Sequence, residues 1–133
     1  VSQLGNGADV LTGSSQQAIG ALRATAEDEK ALWLGQDIAQ IGTTEGEKKC
    51  VAASSYNYAA VIVGLVNNIK AGKLGGEVIP MNFNNGGFIF QYNDALSSVI
   101  TDEIKAVVDE ALNSFIESAD GLADWAEVDY SKL

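Results

Sequence analysis

Histidine is absent from this sequence of 133 residues, and Cys50 is its single cysteine. Without histidine the chain lacks both the usual general base and the commonest metal ligand of proteins. A lone cysteine excludes a disulfide within these residues, a thiolate metal cluster and a CxxC redox pair. We therefore expect no metal site, no cofactor and no catalytic residues, and we expect that the protein is not an enzyme.

Basic residues are also scarce. Eight lysines and arginines stand against 18 acidic residues, which gives a formal net charge of −10. The longest basic run is Lys48-Lys49. Binding of a phosphate backbone requires clustered basic side chains, so this composition argues against a nucleic-acid groove. The acidic excess is typical of a solvated surface.

Targeting and membrane segments are not recognisable either. No apolar stretch reaches the roughly 20 residues that a membrane-spanning helix needs. The residues up to Gly5 are neither basic nor continuously apolar, unlike a signal peptide. Since the sequence does not begin with methionine, we interpret it as a processed or excised piece.

The composition that is present is that of a globular domain, with 47% hydrophobic and 20% charged residues. Strand-like and helix-like segments alternate, which predicts an α/β fold with an open, mostly parallel sheet and flanking helices. The predicted strands of this sheet are residues 8–12, 31–34 and 50–53. We interpret Trp33 and Cys50, in the last two strands, as core side chains.

Helices are predicted where apolar residues recur three and four positions apart. Ser14, with Gln17 completing a capping box, is expected to open the first of them. The second covers residues 57–71 and ends before Gly72, and the third begins after the N-cap Thr101. Between these two, residues 78–81 and 88–90 predict a β-hairpin around the turn at 84–87. Residues 122–133 are expected to pack as an appendage.

Ligands of open parallel sheets bind beyond the carboxyl ends of the strands, and three predicted segments lie there. They contribute Gly13, Ser14 and Ser15 after the first strand, Asp37 after the second and Tyr56 after the third. The set offers hydroxyls, a carboxylate and an aromatic ring, without a nucleophile–base pair. Each member also has a purely structural interpretation: the Gly-Ser turn caps a helix, Asp37 caps a turn and Tyr56 fills the core.

Several short motifs occur in an order and spacing that resemble one protein family. They are Gly7-Ala8-Asp9-Val10, Gly35-Gln36-Asp37-Ile38-Ala39-Gln40, Tyr56-Asn57, Ala71-Gly72-Lys73, Gly75-Gly76, Gly86-Gly87 and Asn93. This series runs through nearly the whole chain and resembles the basic membrane protein family, whose members are solute-binding lipoproteins of ABC transporters. The resemblance implies a type I periplasmic-binding-protein fold, in which two α/β lobes joined by hinge strands close over a solute. Residues 1–133 then correspond to the carboxy-terminal portion, the second lobe plus hinge segments.

The same resemblance implies an extracytoplasmic receptor that is anchored to the membrane as a lipoprotein and delivers a purine nucleoside to the membrane subunits of an ABC importer. It assigns Asp37 to the ribose hydroxyls, since a carboxylate accepts hydrogen bonds from two hydroxyl donors. In an ungapped alignment from Gly72 backwards, Tyr56 stands where many members carry a lysine. A phenol in place of a cation leaves a ring that can stack on a base.

The resemblance also implies that the helix at 57–71 packs on a first lobe that this chain does not contain. Alone, its apolar stripe is expected to drive self-association into a dimer or a domain-swapped assembly. Two other functions stay open: an effector-sensing domain of a transcriptional regulator with the same fold, and an enzyme on a Rossmann-like sheet. The enzyme ranks last because neither a complete G-x-G-x-x-G turn nor a P-loop lysine is present.

Overall fold

The computed structural model of the protein describes residues 2–76 and 78–117. In chain order the elements are α1 (Ser2–Gly5), β1 (Val10–Gly13), α2 (Ala18–Glu27), β2 (Leu32–Gly35), a 3₁₀ helix (Ile38–Gln40), α3 (Gly46–Lys49), β3 (Cys50–Tyr56), α4 (Tyr58–Lys70), β4 (Phe88–Tyr92), a second 3₁₀ helix (Asp94–Leu96) and α5 (Asp102–Glu117). They fall into two compact units, Val1–Ile100 and Thr101–Leu133.

The first unit contains a four-stranded sheet in the order β1-β2-β3-β4. Strands β1, β2 and β3 run parallel, and β4 is antiparallel to β3 at the edge. Each parallel crossover in this part of the chain passes through a helix, as the α/β pattern requires. The prediction of an α/β fold with an open, mostly parallel sheet and flanking helices is therefore confirmed.

The core lies on one face of the sheet. It consists of Leu11, Ala18, Leu22, Ala31, Trp33, Cys50 and Ala53. Leu22, on α2, is 1% exposed, and burial of such a side chain contributes about 1.5–3 kcal/mol. Trp33 is fully buried, and its indole N–H donates to Oε1 of Gln40 at 2.8 Å, so its polar atom is satisfied. Both Trp33 and Cys50 are core residues, as predicted.

The start of α2 differs from the predicted capping box. The helix begins at Ala18, and its N-cap is Gln17, whose side chain forms no capping hydrogen bond. The backbone supplies the missing acceptors instead: the N–H of Ala18 donates to the carbonyl of Ser15, and that of Gly20 to the carbonyl of Gln17. Ser14 is therefore free of a capping role, and the capping-box prediction is wrong.

The predicted hairpin is also wrong in one arm. Residues 78–81 form no strand, whereas the turn before Phe88 exists and has a positive φ of 67° at Gly86. Oδ1 of Asn85 accepts from the N–H groups of Asn82 and Gly87, and its Nδ2 donates to the carbonyl of Pro80. These bonds hold residues 80–87 in a local turn, and one of them occupies the Pro80 carbonyl in the first arm, while β4 pairs with β3 instead.

The other two helices match the sequence closely. α4 ends at Lys70, followed by Ala71 and by Gly72 with a φ of 81°, the left-handed conformation expected just past a helix. In the second unit, Oγ1 of Thr101 accepts from the N–H of Ile104 at 3.4 Å, so Thr101 is the N-cap of α5. The appendage predicted at 122–133 lies outside the described residues. None of the helices in the described ranges is long and apolar enough to cross a membrane.

Candidate functional site

The candidate site is the edge where the parallel strands end. Gly13 and Gly35, the last residues of β1 and β2, are partners in the register. Adjacent strands lie about 4.8 Å apart, so the segments that leave these two strands begin side by side. Ser14 and Ser15 follow the first strand, Asp37 follows the second, and all three are exposed. The structure thus brings four of the five predicted site residues to neighbouring strand ends.

Gly13 has a structural reason to be glycine. A Cβ atom at this position would lie 3.3 Å from the Cβ atom of Ala18 and 3.3 Å from Cη2 of Trp33. These contacts are tighter than ordinary van der Waals distances, so the residue allows α2 to approach the sheet closely. The end of β1 therefore lies directly against the core, and the turn at 14–17 leaves from this point.

Asp37 caps a short helix and keeps further hydrogen-bond acceptors unused by that cap. It is the N-cap of the 3₁₀ helix Ile38–Gln40, and its Oδ1 accepts from the N–H of Ala39 at 2.9 Å. This bears out the structural interpretation of Asp37 as the cap of a turn. A carboxylate has two oxygens and about four acceptor positions, so one capping bond leaves acceptors for hydroxyl donors. Capping also fixes the orientation of this side chain near the end of β2.

Tyr56 is not in a loop after the third strand, as the sequence suggested, but is the last residue of β3. Gly35 is level with Ala53, and β3 continues for three residues beyond it, paired with β4. At about 3.3 Å per residue, Tyr56 lies about 10 Å further along the strand direction than Gly35. Tyr56 is 55% exposed, so the interpretation that it fills the core is wrong.

Two aromatic residues beside Tyr56 were missed in the sequence. The ring centroid of Phe88, its cross-strand partner on β4, lies 5.1 Å away in an edge-to-face arrangement. Tyr58, at the start of α4, has its centroid 5.9 Å away and is 61% exposed. The Tyr56-x-Tyr58 spacing was visible in the sequence, but Phe88 joins only through the antiparallel pairing. These rings form an exposed aromatic cluster.

Two titratable groups have shifted pKa values, and both belong to the scaffold. The N–H groups of Ala31 and Lys30 donate hydrogen bonds to Oδ1 of Asp28. These two bonds hold the pKa of the Asp28 carboxyl below its ordinary value, and the bond from Ala31 has the larger effect. The charge of Lys49 acts in the same direction. Burial raises the pKa of the Cys50 thiol, against the weaker effect of its hydrogen bonds with the backbone of Gly35 and Ala52; the thiol donates to the Ala52 carbonyl.

We expect the thiol of Cys50 to be inert in the folded protein. It is fully buried, and its raised pKa keeps it protonated, whereas the thiolate is the reactive form. Labelling with a chromogenic disulfide reagent should be at least about 100-fold slower in native buffer than in denaturant, because it requires opening of the core. Stoichiometric labelling of the native protein within the mixing time would contradict the buried position.

Two cavities lie elsewhere, along α4. One of about 300 Å³ is lined by Val61, Gly64, Asn68, Ile79 and Asn85, and a smaller one of about 100 Å³ continues along the same helix. Neither is lined by a predicted site residue. Within residues 2–76 and 78–117, no group of three or more acidic, cysteine or histidine side chains is placed to hold a metal ion.

Comparison with protein-family models, with curated proteins and with solved structures finds no significant match.

Proposed function

We propose that the protein is the second lobe, with hinge segments, of an extracytoplasmic solute-binding receptor of the basic membrane protein family, and that it binds a purine nucleoside between two lobes for an ABC importer. The observation that supports this most directly is the shared edge of β1 and β2. There the Gly13-Ser14-Ser15 turn and the capped carboxylate of Asp37 leave neighbouring strands and are exposed. Such an edge is where open α/β sheets bind small molecules.

In this proposal Asp37 accepts hydrogen bonds from the ribose hydroxyls. The capping bond to Ala39 fixes its orientation, and the remaining lone pairs receive the two donors. Ser14 and Ser15 add hydroxyls beside it. Tyr56, with Phe88 supporting its ring from the side, stacks on the base, which places the base further along the β3 direction than the sugar.

In this proposal the chain is one of the two lobes that enclose the ligand. Affinity in two-lobe receptors arises when both lobes enclose the ligand, so the second lobe alone should bind weakly. The first lobe would pack on α4, whose apolar side chains are exposed. In the full-length receptor we expect a lipoprotein anchor on the extracytoplasmic side and docking to the importer's membrane subunits.

Isothermal titration of the full-length protein with adenosine, guanosine, inosine, cytidine and the free bases tests the ligand class. We expect a purine nucleoside to bind tightly and Asp37→Asn to weaken it about 10- to 100-fold, since a hydrogen bond to a charged group contributes about 1.5–3 kcal/mol. Asparagine is as good an N-cap as aspartate, so the 3₁₀ helix should persist and the loss should report on the ligand.

Asp9→Asn is the matched control. It removes the same charge from an exposed carboxylate just before β1, at the opposite end of the strand, and should leave nucleoside affinity unchanged. Equal affinity of Asp37→Asn and the unaltered protein would refute the ribose contact. The absence of heat with every nucleoside and base would refute the nucleoside class, and DNA binding regulated by a small effector would favour the transcriptional regulator.

A further inference from the structure

Gln40 is a polar residue that is buried next to the candidate site. It is the last residue of the 3₁₀ helix that Asp37 caps. Gln40 is only 8% exposed, whereas Asp37 and Ala39 are exposed. Glutamine is mostly a surface residue, and burial of its amide costs free energy unless the amide is hydrogen-bonded. The partner of this amide therefore determines how the short helix is held.

The side chain of Gln40 is bonded to the core. The indole N–H of Trp33 donates to Oε1 of Gln40 at 2.8 Å, and both residues are buried. An indole N–H can only donate, so the bond fixes the amide oxygen as the end of the side chain that meets the core. In a medium of low dielectric constant such a bond is stronger than at the surface. Trp33 thus anchors Gln40 to the middle of β2.

The last residue of β2 leaves room for this side chain. A Cβ atom at Gly35 would lie 3.1 Å from Oε1 of Gln40 and 2.7 Å from the Cβ atom of Ala53. The amide of Gln40 therefore lies directly against the end of the strand from which the segment with Asp37 leaves. Ile38 in the same segment also packs against the core. Apolar packing has no preferred direction, whereas a hydrogen bond fixes both a distance and an angle.

The backbone of Gln40 connects the anchor to Asp37. Its N–H donates to the carbonyl oxygen of Asp37 at 2.9 Å, and its carbonyl oxygen accepts from Oγ1 of Thr43 at 2.8 Å. The carboxylate of Asp37 in turn accepts from the N–H of Ala39 at 2.9 Å. A series of hydrogen bonds thus leads from the Trp33 indole through Gln40 and the 3₁₀ helix to the candidate ligand-binding carboxylate.

We propose that Gln40 is the positioning residue of the candidate site. Its bond to the Trp33 indole holds the 3₁₀ helix, and with it the carboxylate of Asp37, in the orientation that receives the hydroxyl groups of a ligand. Gln40 acts through Asp37 and does not touch the ligand. Such preorganisation raises affinity, because the carboxylate does not have to become ordered during binding. The inference rests on the proposed function for the role of Asp37, but the positioning itself is measurable without a ligand.

Backbone ¹⁵N relaxation of this chain tests the positioning. Gln40→Met keeps the length of the side chain and removes the acceptor for the indole. We expect the order parameters of Asp37 and Ala39 to fall from about 0.85, the value of rigid backbone, to below about 0.6, while those of the strands stay unchanged. Gln91→Met is the matched control. It makes the same change at an exposed residue of β4 and should leave the order parameters at 37–39 unaltered.

Nucleoside titration of the full-length protein tests the consequence for binding. Gln40→Met should weaken the affinity about 5- to 10-fold, the factor that corresponds to one neutral hydrogen bond. Trp33→Phe removes the donor of the same bond, so the double variant should bind no more weakly than the weaker of the two single variants. Leu22→Ala also destabilises the core, but it leaves the bond in place and should not change the affinity. This comparison separates positioning from a general loss of stability.

Three results would overturn the proposal. The order parameters of Asp37 and Ala39 could stay high in Gln40→Met. The affinity could be lost as much in Leu22→Ala as in Gln40→Met. Finally, Asp37→Asn could weaken nucleoside binding while Gln40→Met does not, which leaves the receptor function standing without the positioning role. Conversely, if no nucleoside binds but the order parameters fall in Gln40→Met, the receptor function fails and Gln40 still positions Asp37.

Discussion

Gly46→Ala should strongly destabilise the native fold. A Cβ atom at this position would overlap the carbonyl oxygen of Gln40 and lie 2.8 Å from both the carbonyl carbon of Gln40 and Oγ1 of Thr43. Two of these three atoms are backbone, so no rotamer change relieves the overlap. Only a shift of the chain between the 3₁₀ helix and α3 does so.

That shift is opposed by bonds on both sides of the contact. Oγ1 of Thr43 donates to the Gln40 carbonyl at 2.8 Å and accepts from the N–H of Gly46 at 2.9 Å. The side chain of Gln40 in turn accepts from the indole of Trp33 in the core. Displacing the loop strains the chain, at a cost of about 1–3 kcal/mol, and breaks hydrogen bonds that each contribute about 0.5–1.5 kcal/mol. The combined loss is a large part of the stability of a small domain.

Chemical denaturation followed by tryptophan fluorescence measures the effect. Gly42→Ala is the matched control, since a Cβ there would meet only the carbonyl oxygen of Ala39, at 3.9 Å. It should be neutral or stabilise by about 0.4–1 kcal/mol through the unfolded state. Equal midpoints for the two alanine variants would contradict the packing of α3 against the 3₁₀ helix.

The sequence predicted correctly those parts of the fold that are determined by residues close together in the chain. The apolar spacing of α4 and α5, the glycine after α4 and the cap at Thr101 each depend on residues within a few positions of one another. Their boundaries agree with the structure to within one or two residues. The alternation of strands and helices was enough for the class of sheet, because it follows from chain order alone.

The errors arose where a distant partner decides the structure. β3 was expected to end at residue 53, yet its last three residues are held by β4, some 35 positions later in the chain. A run of serines followed by tyrosine has no strong preference of its own, so pairing decides. For the same reason, residues at the ends of β1 and β2 could be predicted to lie together, whereas the position of Tyr56 could not.

Asn93 shows that a family resemblance can single out a residue without explaining what that residue does in the structure. In the sequence, Asn93 stands out only as one position of the motif series that resembles the family. The structure buries it at the end of β4, where its Nδ2 lies 2.9 Å from the carbonyl of Cys50, 3.2 Å from that of Gly46 and 3.4 Å from that of Glu47. Its Oδ1 accepts from the N–H of Ala95 at 3.1 Å. One amide thus ties β4 to α3 and β3.

Asn93→Ala should therefore destabilise the first unit strongly, and Asn93→Asp should do so more strongly at neutral pH. Alanine removes the buried donor to the Cys50 carbonyl and the acceptor for the Ala95 N–H. A buried polar group left without a partner costs about 1–3 kcal/mol. Aspartate keeps the acceptor for Ala95, but turns a negative oxygen toward three carbonyl oxygens. Aspartate has the same shape as asparagine, but an unpaired buried charge costs about 3–5 kcal/mol.

The dependence on pH separates repulsion from a mere loss of hydrogen bonds. Burial and carbonyl dipoles raise the folded-state pKa of the introduced carboxyl above its unfolded value of about 3.9. Below the unfolded pKa the carboxyl is protonated in both states, so the charge costs no stability there. The loss in the free energy of unfolding grows as the pH rises toward the folded pKa. The difference in stability from the unaltered protein should therefore be smaller in acid. Urea midpoints from pH 4 to 8 measure this, with Asn6→Asp, an exposed position, as the control for added charge. A deficit that does not change with pH would mean that the carboxyl leaves the site for solvent, and that Asn93 acts only as a donor to Cys50.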